Sequence, residues 1–93
     1  MDFPTLVISN DQNNQFADTV TVIPITSKTD KIYPFEILLL KEECGIPVDS
    51  KVKSNQVRTL DKRRLIKFLC RISQEKLKQV ERSLLIHLGI SSY

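Results

Sequence analysis

With one histidine, two cysteines, two glycines and 6% aromatic residues, this 93-residue chain has little to offer the commoner forms of site chemistry. His87 is the only imidazole and no carboxylates cluster at a strand end, so a zinc or magnesium centre has no obvious ligand set. His87 also falls on the last turn of a helical pattern, where an imidazole simply favours the helix C-terminus. Cys44 and Cys70 show neither metal spacing nor a redox pair, and read as two free thiols in a reducing cytosol. No segment approaches the ~20 apolar residues that span a bilayer, and no basic start leads into a long apolar run. A soluble, cytoplasmic protein without cofactor is therefore expected. The few aromatics also give little support to a peptide-binding barrel.

What is present fits one small globular domain over residues 1–93: 41% of the chain is apolar, enough for a modest core. The net charge of +3 hides a polarity. Residues 1–50 carry three lysines against eight acids, whereas residues 51–93 carry eleven Lys or Arg against three. A basic half of this kind suits a polyanion such as nucleic acid, although a solvated helix face collects lysines equally well.

The pattern along the chain is mostly that of strands. Thr5–Ser9 is a short β-branched run, and the polar cluster Asn10–Gln15 after it reads as a loop. Thr19–Ile25 reads as a central strand in which Pro24 marks a bulge or an unpaired position. Phe35–Leu40 is a third strand, Ser50–Leu60 a fourth with polar interruptions, and Leu65–Ile72 a fifth, with Gly45 and Pro47 marking a turn. At Ser73 the period becomes helical. Ser73 is a candidate N-cap, Gly89 a candidate terminator, and Leu77, Val80, Leu84 and Leu88 form one apolar stripe, with Lys76, Lys78, Gln79 and Arg82 facing water. The fold class is α+β, mainly β: a small barrel or strongly curved sheet closed by a C-terminal amphipathic helix.

The remaining groups with chemical potential are hydroxyls, amides and guanidinium: Thr26 and Ser27 at a strand end, and Lys53, Asn55, Gln56, Arg58 and Thr59 on the later strand. Such groups hydrogen-bond phosphate oxygens and base edges, and an arginine fork balances charge developing on phosphorus. RNA carries its own nucleophile in the ribose 2′-OH, so a site that orients it and balances charge can cut RNA without a metal. The structural alternative is that Arg58 and Asp61 only pair with each other while Thr59 caps the "DKRR" turn.

At these residues the sequence resembles the MazF/PemK (Kid) family of toxin endoribonucleases. The similar pieces occur in the family's order: "PTLVISND" (4–11), "VTVIPITS" (20–27), "PFE" (34–36), "NQVRTLDKRRL" (55–65) and the segment Ile72–Gly89. The resemblance implies an SH3-like barrel, a homodimer, a MazE-like cognate antitoxin, operator DNA bound together with that antitoxin, and sequence-selective, metal-independent cleavage of single-stranded mRNA to 2′,3′-cyclic phosphate and 5′-hydroxyl ends. It implies Thr26, with Ser27 beside it, as the catalytic pair at the scissile phosphate, and Asn10, Lys53, Asn55, Gln56 and Arg58 as RNA-binding residues. Asn55 stands where many relatives have aspartate, and Lys53 where some have arginine.

One departure is large. Relatives place an additional strand, a glycine-containing loop and an Arg-Pro pair ahead of the "LVISND" strand, whereas here Phe3 precedes Pro4 and the catalytic arginine has no counterpart. Losing such a charge donor commonly costs about 3 to 4 kcal/mol of barrier. The chain then reads either as a domain shortened at its N-terminus or as a frame whose start lies upstream of Met1. A module that binds antitoxin or nucleic acid without cleaving is the alternative function.

Overall fold

The computed structural model describes residues 4–90; Met1 and Phe3 lie outside them. In chain order the elements are β1 (Thr5–Val7), α1 (Asp11–Phe16), β2 (Thr19–Thr26), β3 (Glu36–Leu39), α2 (Lys41–Cys44), β4 (Ser50–Lys53), β5 (Arg58–Asp61) and α3 (Gln74–Leu88). Short 3-10 turns at Ser54–Gln56 and Lys62–Arg64 precede and follow β5. All strand pairings are antiparallel, in the order β1-β2-β4-β3 with β5 also on β2. The expected mainly-β domain with one C-terminal helix is what forms.

β2 organises the sheet because both of its edges are used. Ile25 donates its N–H to Pro4 at 3.1 Å and Ile8 donates to Thr21 at 2.9 Å, so the odd-numbered groups of β2 face β1. The even-numbered positions therefore face the other edge, where Ile25 and Thr26 pair with β4 and Thr19–Val22 pair with β5. Pro24, which has no N–H, falls at the break between these two ladders, opposite the Ser54–Gln56 turn. The expected fourth strand, Ser50–Leu60, is thus two strands on one edge, split where β2 has no donor to give.

Three further expectations change. Asn10–Gln15 is not a loop: Asn10 Oδ1 accepts the Asn13 N–H at 2.8 Å and caps α1, with Asp11 in the first turn where the helix dipole favours an anion. Leu65–Ile72 is not a strand. Leu65, Ile66, Phe68 and Leu69 are exposed, only Cys70 and Ile72 of this run pack on the core, and among the described residues no strand pairs with its backbone. Lys76 does not simply face water, since it donates from Nζ to Leu38 O at 2.9 Å and fixes α3 to β3.

α3 begins and ends as its residues dictate. Ser73 Oγ accepts the Lys76 N–H at 3.1 Å, and Gly89, at φ +72°, donates its N–H to Ile86 while Ile90 donates to Leu85. Val80 is buried and Leu84 packs beside it on a core of Ile23, Leu39, Cys44, Ile46 and Val52, whereas Leu88, 59% exposed, lies beyond the sheet. The same helix anchors the Ser54–Gln56 turn. Ser83 Oγ donates to Val80 O at 2.6 Å, so the fully buried Ser54 hydroxyl supplies the proton in the 2.6 Å Ser54–Ser83 bond. Ser83→Ala is expected to cost about 1–3 kcal/mol because Ser54 is left buried without an acceptor, and Ser54→Ala less, since Ser83 keeps Val80. Chemical denaturation of both variants checks the asymmetry; equal losses would contradict it.

Candidate functional site: one face of the sheet

Residues paired across strands share a face, and this sorts the candidates. Thr26 is opposite Lys51, and Lys53 lies two residues further along β4 on the same side. Arg58 is opposite Val22, which is four residues before Thr26 and therefore also on that side. Between the ladders three residues are inserted: from Ile25 to Val22 is three steps on β2, while their partners Val52 and Arg58 are six apart. An odd insertion inverts the alternation, which is why Lys53 and Arg58, of opposite parity, point the same way. Thr26 and Arg58 lie about 13 Å apart along β2 at ~3.3 Å per residue. Ile23, Ile25, Ile37 and Val52 occupy the other face and form the core with α3.

Buried Val22 lines a broad groove that is not confined to this second face, since Leu39, Cys44 and Ile46 and, on α3, Leu77, Val80 and Leu84 line it as well. Asn10, Thr26, Ser27, Lys53, Gln56 and Arg58 all line it. Asn55 does not; it projects, exposed, from the Ser54–Gln56 turn, and Thr59 pairs with Thr21 on the core side of the sheet. The groove's charged lining is seven basic residues to two acidic, a balance that favours an anionic ligand.

Individual side chains are arranged for hydrogen bonding outward. Thr26 Oγ1 accepts the Lys28 N–H at 3.3 Å, and its own proton has no acceptor among the described residues. Ser27 is exposed beside it. Arg58 makes only a long contact, Nε to Gln56 O at 3.5 Å, and no carboxylate meets it among the described residues. The alternative Arg58–Asp61 pair does not form, because Asp61 binds Arg63 instead, at 2.8 Å. Asp61 itself, not Thr59, caps the Lys62–Arg64 turn by accepting the Arg63 N–H at 2.8 Å. The Arg63 hydrogen bonds hold the Asp61 carboxyl below the usual aspartate range. Asn10 spends its carbonyl on the α1 cap and keeps its amide NH2 for the groove.

The sequence reading missed Lys51. Its ammonium is buried, 2.9 Å from Glu36 Oε1 and 2.7 Å from Lys31 O, while the same Glu36 oxygen accepts the Tyr33 N–H at 2.9 Å. Burial pushes the Glu36 carboxyl up, but the Tyr33 N–H and Lys51 together outweigh it and bring it below its ordinary 4.5. This pair ties the Lys31–Phe35 loop to β4 at the residue opposite Thr26. Only the spacing of Glu36 in "PFE" hinted at it; its partner is set by register, which sequence does not display.

Among the described residues no group of three His, Cys, Asp or Glu is placed to hold a metal ion, and no helix is long and apolar enough to cross a membrane. The two thiols are neighbours in the fold rather than isolated. Burial, then hydrogen bonding to Cys70, pushes the Cys44 thiol up to about 11.

Comparison with known proteins places this geometry. Residues 2–88 match the family described as PemK-like, MazF-like toxin of type II toxin-antitoxin system. The endoribonuclease MazF9 of Mycobacterium tuberculosis is 36% identical over 96% of this chain and 80% of its own length. A MazE–MazF crystal structure from Deinococcus radiodurans superposes with TM-score 0.81 at 31% identity, covering 96% of this chain and 83% of that one. The Mycobacterium tuberculosis toxin MazF-mt6 shares the fold, with TM-score 0.87 at 17% identity over 97% of this chain and 89% of that one. A chain matched over nearly its whole length by one family, with a curated relative at this identity, belongs to the PemK-like, MazF-like toxins of type II toxin-antitoxin systems.

Proposed function

We propose that this toxin is an endoribonuclease that lays single-stranded mRNA along the groove and cuts it at Thr26. The observation that carries this reading is the shared face of Thr26, Lys53 and Arg58, where among the described residues the Thr26 proton has no acceptor and Arg58 meets no carboxylate. The 2′-oxygen of the upstream ribose bonds to phosphorus as the P–O5′ bond breaks; the 2′-OH loses its proton and the 5′-oxygen gains one, leaving a 2′,3′-cyclic phosphate and a 5′-hydroxyl. Thr26 donates to a phosphate oxygen as charge builds there, with Ser27 beside it. Lys53 and Arg58 hold flanking phosphates, and Gln56 and Asn10 reach base edges with their amides. No step in this scheme calls for a metal or cofactor, because the nucleophile is the substrate's own.

Relatives have been solved with their cognate antitoxins, which supports a MazE-like partner here. A homodimer belongs to the same reading, and the apolar run around Ile66 and Phe68, 76% and 75% exposed, is surface that an assembly would cover. Operator DNA held jointly with antitoxin and a cytoplasmic site of action complete it. The second reading, a module that binds without cutting, rests on the resemblance, which implies an arginine where Phe3 stands before Pro4.

Incubating the purified chain with mixed-sequence single-stranded RNA and mapping the ends decides between the two. Cyclic phosphate with 5′-hydroxyl ends is expected; intact RNA that is nevertheless bound would favour the second reading, and 5′-phosphate ends would contradict the 2′-OH mechanism. In the same assay Arg58→Ala should weaken binding and reduce the slope of log K against log salt by about 0.7, the share of one single-strand phosphate contact. An unchanged slope would remove Arg58 from the backbone-binding set.

A further inference from the structure

We infer that Tyr33 is a stacking platform for one nucleobase of the bound strand, carried on the loop that Lys51, the residue opposite Thr26, ties to β4; this rests on the RNA-binding reading above. Tyr33 is 42% exposed although it is among the chain's few aromatics. Phe35 stacks parallel to it, ring centroids 5.4 Å apart and planes 2° from coincidence, so the ring is braced rather than free to rotate. Its backbone is fixed as firmly. The Tyr33 N–H donates to Glu36 Oε1 at 2.9 Å, and the Glu36 N–H donates back to Tyr33 O at 2.8 Å.

The link to Thr26 runs through one residue. Lys51, directly across from Thr26, holds Glu36 and Lys31 O with its ammonium and lies 5.8 Å from the Tyr33 ring centroid. The ring is thus reached from the residue opposite Thr26 across one lysine side chain and a further 5.8 Å. Lys31 Nζ sits 4.9 Å over the same ring. Exposed and long, it can swing onto a phosphate when a base takes its place, so a π-face and a cation are offered together. Single-strand readers combine these two features, and stacking tolerates any base.

Tyr33 could instead serve only as an apolar cover for the Glu36–Lys51 pair, and Tyr33→Leu separates the roles because it keeps the cover and removes the π-face. The probe is a fluorescein-labelled, mixed-sequence, single-stranded 12-mer with 2′-fluoro riboses, which cannot cyclise, together with a set carrying one abasic position each. In the wild type, one abasic position should weaken binding by about 5- to 100-fold. Tyr33→Leu should bind the intact strand weaker by a similar factor and be indifferent to that position, whereas Tyr33→Trp should restore both. As a check independent of any variant's folding, 2-aminopurine at that position should lose fluorescence on binding wild-type protein. Tyr33→Leu binding within about twofold of wild type, equal sensitivity of both proteins to every abasic position, or unquenched 2-aminopurine would each overturn the platform alone. Failure of the wild type to bind any of these strands would overturn it together with the RNA-binding reading.

Discussion

Thr26→Ala is expected to lower the single-turnover rate of RNA cleavage about 100- to 1,000-fold while changing RNA affinity by no more than about threefold. The hydroxyl is oriented in the absence of substrate, because its oxygen already accepts the Lys28 N–H and its proton is left to point elsewhere. A donor fixed in advance stabilises charge that appears only as phosphorus becomes five-coordinate, so its loss falls on the rate rather than on binding. Thr26→Ser keeps the donor and should recover most of the rate. Loss of affinity in proportion to loss of rate would instead make Thr26 an ordinary ground-state contact.

The second large effect concerns the strap beneath Tyr33. Lys51→Met should destabilise the fold by about 3–5 kcal/mol at neutral pH, since the Lys51 and Glu36 side chains are only 9% and 2% exposed and a buried carboxylate would lose its counter-ion. The pH dependence distinguishes this from a packing defect. In the wild type Glu36 lies below its ordinary 4.5, so its contribution is present above about pH 4.5 and is lost as pH falls through the lowered value. Without Lys51 two of the causes that lower it are gone and the carboxyl moves up, so the variant should regain stability, relative to wild type, as the pH falls into the carboxylate range. Glu36→Gln added to Lys51→Met should restore much of the loss, since the amide still accepts the Tyr33 N–H without carrying charge. Urea midpoints measured from pH 4 to 8 for the three proteins check this; parallel curves for wild type and Lys51→Met would contradict it.

The elements that sequence reveals are those whose signals are local. Ser73, the 77/80/84 stripe and Gly89 define α3 without reference to anything else, and the apolar run of β2 announces its central place. α1 carried a local signal as well, Asn10 as a cap with Asp11 after it, but six polar residues with no apolar stripe look like a loop. Non-local facts were hidden. Leu65–Ile72 has the composition of a strand, yet a strand needs an edge, and none among the described residues pairs with it. Similarly, Lys53 and Arg58 look as if they alternate onto opposite faces until the three-residue insertion opposite Pro24 is known. Nothing in the sequence singles out Lys51, because Glu36, fifteen residues earlier, becomes its partner only through the β3–β4 pairing.

The most direct test of RNA binding on this face is amide chemical-shift mapping with uncleavable single-stranded RNA titrated into the labelled protein. Perturbations should concentrate at Thr26–Lys28, Lys53, Gln56 and Arg58, with the outer surface of α3 at Lys78 and Arg82 unmoved. Shifts centred on Lys78 and Arg82, with Thr26 and Arg58 silent, would mean that the strand lies on the helix and that the sheet face has another purpose.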